Sequence, residues 1–383
     1  MNAEQFLAFN TVTRDKQNVL ITGGAGVGKS FVIGKIKEYF DKNNINYGVT
    51  ATTGSAAFLI NGTTIHNFFG LKIRLKSVDA TIRRLKKNNK KQWTTLNKLD
   101  ALVIDEVSML NDILMEFIHL LLQTIKDNTK PFGGVQIILC GDMCQLPPCD
   151  GELFTEAPVW VDNNEDWKTV ELIETIRQKD DTKFANILKR IRNREYTAQD
   201  IVKLKEMKKI KSPTVLFSTN KKVDEFNNKK LQSIIGKGAK SKTFKATHSI
   251  EEVTLCEGCK VMLTTNIDIE KGLCNGAIGK ILEIQSSTQV LVKFNNGMVH
   301  PITYVPVFND EDEVIDNNLP LRAAYAITIN KCQGMTLDAI VLCMDDFDVF
   351  RGETKGRFYT AISRVRKLEH ICVVGDVKKK HVV

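Results

Sequence analysis

The sequence predicts an α/β protein of two lobes, each a parallel sheet with helices on both faces. A small basic insertion is expected in the first lobe and a small antiparallel β insertion in the second. Three observations lead there. A chain of 383 residues exceeds what one hydrophobic core ordinarily serves. Between residues 18 and 142, short apolar runs alternate with helical stretches, the pattern of a parallel sheet buried on both faces. A second alternation of the same kind begins near residue 214 and is interrupted by a stretch of a different character.

The first lobe takes its strands from residues 18–22, 47–52, 101–105 and 135–140, each apolar at consecutive positions. The second takes 214–218, 339–344 and 370–374, with helical segments at 181–193 and 224–235. Inside it, residues 261–307 turn to short β runs, and Asn295-Asn296-Gly297 stands between 290–294 and 298–302. That is a hairpin signal, and the stretch reads as a small antiparallel barrel. The expected division is residues 1–70 and 99–172 for the first lobe, 71–98 for its insertion, 173–255 and 320–383 for the second lobe, and 256–319 for the barrel.

Hydrophobic residues make up 43% and charged residues 26%, ordinary globular values that argue against a disordered or fibrous chain. The longest apolar runs fall far short of the roughly 20 residues that cross a bilayer, and residues 1–10 lack the pattern of a secretory signal. A soluble intracellular protein with no membrane partner is expected, in nucleus, cytoplasm or a viral replication site. Nine cysteines without framework spacing suit a reducing compartment. Cys256-x-x-Cys259 has no second pair or histidines to complete a zinc site, so no structural zinc is expected. The net charge of +9 favours a polyanionic partner. It concentrates in 72–98, where Lys72, Arg74, Lys76, Arg83, Arg84, Lys86, Lys87, Lys90, Lys91 and Lys98 face Asp79 alone, with Trp93 among them. Such a stretch suits a phosphate backbone, and a solvated helix face is the plainer alternative.

Gly23-Gly24-Ala25-Gly26-Val27-Gly28-Lys29-Ser30 matches G-x-x-x-x-G-K-[ST] and stands between an expected strand and an expected helix. Glycines let backbone N–H groups face phosphate oxygens, and a helix N-terminus adds positive potential. Lys29 would reach the β and γ phosphates of ATP and Ser30 would bind Mg²⁺. An apolar run ending in Asp105-Glu106 supplies the carboxylates such a site needs: Asp105 for Mg²⁺, and Glu106 to orient and deprotonate the attacking water. After 136–140 comes Gly141-Asp142-Met143-Cys144-Gln145-Leu146-Pro147-Pro148, a proline-stiffened loop in which Gln145 can hydrogen-bond the γ-phosphate. The carboxyl ends of these strands should share one edge of one sheet, where open α/β folds bind ligands.

This motif set resembles the petite-integration-frequency (Pif-type) and RecD-like helicases of superfamily 1, the 5′-to-3′ branch. The resemblance spans almost the whole chain. It rests on Ala3-Glu4-Gln5, the phosphate loop, residues 50–57 with Gly62-Thr63-Thr64-Ile65-His66, Asp105-Glu106 and Pro131 onward to Pro148. Three later blocks extend it: 174–178, 326–337 and Tyr359-Thr360-Ala361-Ile362-Ser363-Arg364. It implies two RecA-like, P-loop NTPase-type lobes, an SH3-like barrel in the second, and ATP between the lobes. Gln5 would read the adenine, Arg177 and Arg364 would reach the γ-phosphate, and Gly334 would join the nucleotide site. Thr52, Thr63, His66, Lys72, Arg74, Thr328, Lys331, Gln333 and Thr336 would contact the nucleic-acid strand. The implied activity is ATP-dependent unwinding of duplex or forked DNA from a single-stranded track, compatible with a monomer on DNA. A nucleotide-switched DNA-binding ATPase that separates no strands, and an RNA helicase of the same superfamily, stay open. Asn330 and Cys332 depart from the histidine and serine usual in the family's block.

Overall fold

The computed structural model describes residues 1–72, 75, 77–176, 181–206, 210–309, 313–348 and 355–382. Arg74 and Arg177 lie outside the described residues. Contacts divide the chain into two units: Met1–Thr197 with Lys355–Lys367 and Lys379–Val383, and Ala198–Thr354 with Leu368–Lys378. Each is an α/β body, and the β insertion lies in the second.

Unit 1 is built on β1 (Asn18–Gly23), β2 (Tyr47–Ala51), β3 (Thr63–Thr64), β4 (Ala101–Asp105), β5 (Gln136–Gly141) and β6 (Trp167–Leu172), in the order β3-β2-β4-β5-β1-β6. All neighbours run parallel. Every residue of β4 is buried, as a central strand covered on both faces requires. β6 was not expected from sequence. It buries only Trp167, Val170 and Leu172, so it carries no continuous apolar run. The helix Lys29–Lys42 buries Val32, Ile33, Ile36 and Phe40, one stripe at helical spacing.

The basic insertion folds as two helices, Val78–Asn88 and Lys90–Asn97. Ser77 caps the first by accepting the Ala80 N–H. Ile82, Leu85 and Leu96 join the same core as Met115, Ile118 and Leu122 of the helix Asp112–Lys126. Arg83, Lys86, Lys87, Lys90, Lys91 and Lys98 are left exposed. The Lys86 ammonium lies 4.5 Å from the centre of the Trp93 ring.

Unit 2 holds β7 (Thr214–Phe217), β8 (Ser241–Lys245), β9 (Glu252–Cys256), β10 (Lys260–Leu263), β11 (Ile278–Ile284), β12 (Gln289–Phe294), β13 (Val299–Thr303), β14 (Val305–Phe308), β15 (Val314–Asn318), β16 (Leu321–Ala323), β17 (Ala326–Thr328), β18 (Ile340–Cys343) and β19 (Ile371–Val374). A parallel sheet runs β17-β7-β18-β19. The insertion is a five-stranded antiparallel sheet, β13-β12-β11-β10-β16, with β8–β9 and β14–β15 as separate pairs. The hairpin expected at Asn295–Gly297 joins β12 to β13. Among the described residues no helix is long and apolar enough to cross a membrane.

Of the residues expected in the second lobe, 181–197, 355–367 and 379–382 belong instead to unit 1. For 355–367 the cause is specific bonding of Tyr359 and Arg364 to the loop that follows β5, described next.

Candidate active site

Because β2, β4, β5 and β1 are parallel neighbours, their carboxyl ends lie along one edge. There they deliver Thr52, Asp105-Glu106, residues 141–148 and the phosphate loop side by side. The phosphate loop runs directly from β1 into the helix Lys29–Lys42, with Gly28 as the N-cap in left-handed conformation (φ 93°). A β-carbon there would come within 2.6 Å of Gln5 Nε2 and 2.9 Å of Ile176 Cδ1, so a side chain would add crowding to the left-handed strain that glycine avoids. Lys29 Nζ donates to the carbonyls of Gly23 and Gly24 at 2.7 and 3.0 Å, holding the ammonium inside the loop.

Gln5 is buried beneath this turn. It sits at the third position of the helix Ala3–Thr13 in a capping box: Asn2 Oδ1 accepts its N–H, and its side-chain oxygen accepts the Asn2 N–H. Its Nε2 donates to Val27 O at 3.3 Å, so the side chain is tied to the phosphate loop. The Ile176 N–H donates to Gly26 O, which fastens the chain to the loop one residue before Arg177.

Asp105 is buried. Burial first, then the charge of Glu106, pushes its carboxyl up to about 7, opposed by the Glu106 N–H bond and the Lys29 charge. Glu106 occupies the left-handed region (φ 56°), which costs a non-glycine residue about 1 kcal/mol or more. Thr52 secures this turn: its N–H donates to Asp105 O and its hydroxyl to Glu106 O at 3.0 Å.

The loop after β5 carries two buried side chains. Gln145 Oε1 accepts a bond from Arg364 Nη2 at 3.1 Å, and Arg364 is 3% exposed. Asp142, fully buried, accepts from Arg192 Nε at 3.0 Å and from the Tyr359 hydroxyl at 2.8 Å. Arg192 also pairs with Glu171 at 3.0 Å. The Tyr359 oxygen in turn accepts the Ala25 N–H of the phosphate loop at 3.1 Å. A cavity of about 240 Å³ opens beside Gly24 and Ala25, walled by Leu172, Thr175, Lys189, Arg192 and Tyr359.

Unit 1 therefore gathers Gln5, Gly23, Gly24, Ala25, Gly26, Val27, Gly28, Lys29, Ser30, Thr52, Asp105, Glu106, Gln145 and Arg364. Asp142, Tyr359 and Arg192 belong with them and were not singled out from sequence. The one signal was that the first two stand inside recognised blocks. Elsewhere in unit 1, Thr63 Oγ1 accepts from Asn67 Nδ2, His66 is half-buried with its pKa lowered by burial, and Lys72 is half-buried. The remaining candidates lie in unit 2 around the turn after β17. Thr328 caps the helix Ile329–Cys332 and is buried, as is Gln333, while Lys331 and Thr336 are exposed and Gly334 is left-handed.

Comparison with known proteins bears on this arrangement. The family model "PIF1-like helicase" matches residues 1–201, and the model "DNA helicase Pif1, 2B domain" matches 246–284. The chain is 30% identical to the ATP-dependent DNA helicase PIF1 of Xenopus laevis over 98% of its length and 61% of that protein's. To the ATP-dependent DNA helicase Pif1 of Bdellovibrio bacteriovorus it is also 30% identical, over 98% of this chain and 88% of the other. A Bacteroides Pif1 helicase crystallised with ADP-AlF3 and single-stranded DNA superposes with a TM-score of 0.79 at 26% identity, covering 100% of this chain and 94% of that one. With one family model covering more than half of the sequence and relatives aligned along nearly all of it, the chain belongs to the PIF1-like helicase family.

Proposed function

We propose that this chain is an ATP-dependent DNA helicase that translocates 5′ to 3′ on single-stranded DNA and separates duplex or forked DNA. The observation that carries the reading is the shared sheet edge of unit 1, where the phosphate loop, Asp105-Glu106 and the Gln145–Arg364 pair converge. In this reading Lys29 binds the β and γ phosphates, and Gln5, through its tie to Val27, sets the loop against the adenine. Glu106 orients and deprotonates the attacking water. Arg364 supplies positive charge to the transition state, an effect of about 10³ to 10⁵ in rate for such arginines, and Arg177 shares that role. Gln145, bonded to Arg364, relays the state of the γ-phosphate. Gly334 links the block around Thr336 to the nucleotide.

The donor set suits Mg²⁺. Ser30 offers a hydroxyl at the helix start, and Asp105 is a buried carboxylate at the end of β4, the oxygen donors a hard divalent cation takes. Ser30 and Asp105 would hold the ion, which neutralises phosphate charge when bound.

Strand contacts fall to Thr52, Thr63, His66, Lys72, Arg74, Thr328, Lys331, Gln333 and Thr336, through phosphates rather than bases. The exposed basic face of residues 78–98 would meet duplex phosphates at the point of separation, and the roles of 71–98 as an accessory segment and 256–319 as a barrel within the second lobe are proposed with it. Such contacts release counterions, so affinity for DNA should fall steeply with salt.

The test is ATP turnover with single-stranded DNA or RNA as activator. Lys29→Ala should abolish turnover, and Glu106→Gln should bind ATP yet hydrolyse it at least about a hundredfold more slowly. Normal turnover in Lys29→Ala would remove the site from this reading. Stimulation by RNA but not DNA would replace the proposed track.

A further inference from the structure

The Arg192–Asp142–Tyr359–Ala25 chain of bonds has no part in the reading above. Tyr359 is 4% exposed, and its hydroxyl makes two contacts: it donates to Asp142 Oδ2 and accepts from the Ala25 N–H. Asp142 is pinned from its other side by Arg192 Nε and the Cys144 N–H, so the carboxylate cannot swing away from the phenol. Burial, then the Asp142 charge, keeps the phenol protonated far above neutral pH, and it therefore remains a donor to Asp142. With its proton committed there, the phenol oxygen presents lone pairs to the phosphate loop.

The helix Arg357–Ile362 is held in that position by more than Tyr359. Gly356 precedes it with φ 71°, and a β-carbon at that site would lie 2.4 Å from Gln145 O, so the backbone rests directly on the loop after β5. Arg364, just past the helix, bonds Gln145. One short element thus touches both the phosphate loop and the Gln145 loop.

We propose that Tyr359 is a positioning residue that competes with the nucleotide: its hydroxyl, aimed by Asp142, takes the Ala25 amide of the phosphate loop, and a polyphosphate must displace it. The inference rests on the ATP site proposed above. A phosphate oxygen entering the loop meets a lone pair of Tyr359 backed by the negative charge of Asp142, and the amide cannot serve both. Binding of the nucleotide is thereby coupled to loss of one bond between the helix Arg357–Ile362 and the phosphate loop. The residue tunes affinity for the phosphates without touching the reacting atoms.

The experiment is equilibrium binding of ATP, inorganic triphosphate and adenosine to wild type and Tyr359→Phe, with steady-state ATP turnover on both. Losing one net hydrogen bond of ordinary strength should tighten ATP and triphosphate about two- to tenfold. Adenosine should be unchanged. KM for ATP should fall by the same factor while kcat stays within about twofold. Asp142→Asn keeps the side chain's shape but loosens the phenol, and should tighten ATP less than Tyr359→Phe does. It carries the test if the phenylalanine variant does not fold. Unchanged or weaker ATP binding in a folded variant would overturn the proposal, as would equal tightening of adenosine. If wild type binds no ATP, the proposed function fails first and this inference with it.

Discussion

The two parallel sheets end their strands in opposite ways. In unit 1, β1 opens into the phosphate loop, whose turn is left-handed at Gly28 and carries Lys29 into the helix that follows. In unit 2, β7 passes into Ser218-Thr219 and then the helix Asn220–Ile235, and a buried carboxylate already closes that turn. Asp346 accepts the Ser218 N–H at 3.0 Å, the Thr219 N–H at 2.8 Å and the Thr219 hydroxyl at 2.9 Å. Both are strand-to-helix turns of a parallel α/β sheet, and in unit 2 the backbone N–H groups already meet an anion. Unit 2 supplies the anion from its own chain, whereas unit 1 is built to take one from a ligand. Fold alone therefore does not make a nucleotide site. What differs is what meets the turn's donors: a carboxylate in unit 2, and at Ala25 of unit 1 the neutral hydroxyl of Tyr359.

The largest expected effect tests the closed turn. Asp346→Ala takes the acceptor from a buried N–H, a half-buried N–H and a hydroxyl, and should cost unit 2 roughly 3 kcal/mol in denaturant unfolding. ATP affinity should not change, and a loss of affinity without a loss of stability would break the comparison. Gly28→Ala tests the open turn. Left-handed strain of about 1–2 kcal/mol, added to the close approach of Gln5, should weaken ATP at least about tenfold in a binding titration. Retained affinity would mean that the loop re-forms around a side chain.

Thr52→Val removes one bond to the strained Glu106 turn, worth about 1 kcal/mol, and should lower kcat about fivefold with KM little changed. If KM alone rose, Thr52 would be acting on binding instead of on the water-activating carboxylate. The smallest effect concerns a third internally closed turn, at Asp316. The Ser249 hydroxyl, with the N–H groups of His248, Asn317 and Ser249, outweighs desolvation and holds this carboxyl well below the usual carboxylate range. Because the folded pKa is depressed, the stabilisation is present above the ordinary value near 4 and is lost as pH falls below it. Wild type and Asp316→Asn should differ in hydrogen exchange of β14–β15 at neutral pH and converge as pH drops from about 5 toward 2. A constant difference across that range would assign the hairpin's stability to other contacts.

What was legible in the sequence follows the same division. The phosphate loop and Asp105-Glu106 are runs of consecutive residues at a strand end, so local pattern was enough. Gln145 was found because prolines mark its loop. β6 was missed since an edge strand that buries three of its six residues has no apolar run, and β17 because three residues are too few to show a period. The left-handed Glu106 leaves no mark in composition. The Asp142–Tyr359 bond joins residues 217 apart, and Asp142–Arg192 joins residues 50 apart. Neither pairing has a spacing rule, so only the folded chain reveals that residues 355–367 pack within unit 1. The basic insertion was legible as charge, but its buried Ile82, Leu85 and Leu96, which fix it to the helix Asp112–Lys126, were not singled out.

The most direct test of the central claim is ATP-dependent strand displacement on one duplex carrying either a 5′ or a 3′ single-stranded DNA tail, with Lys29→Ala alongside. The account predicts product only from the 5′-tailed duplex and none with the variant. ATP turnover without product on either tail would contradict it in favour of a nucleotide-switched DNA-binding ATPase, and product only from the 3′ tail would contradict the polarity.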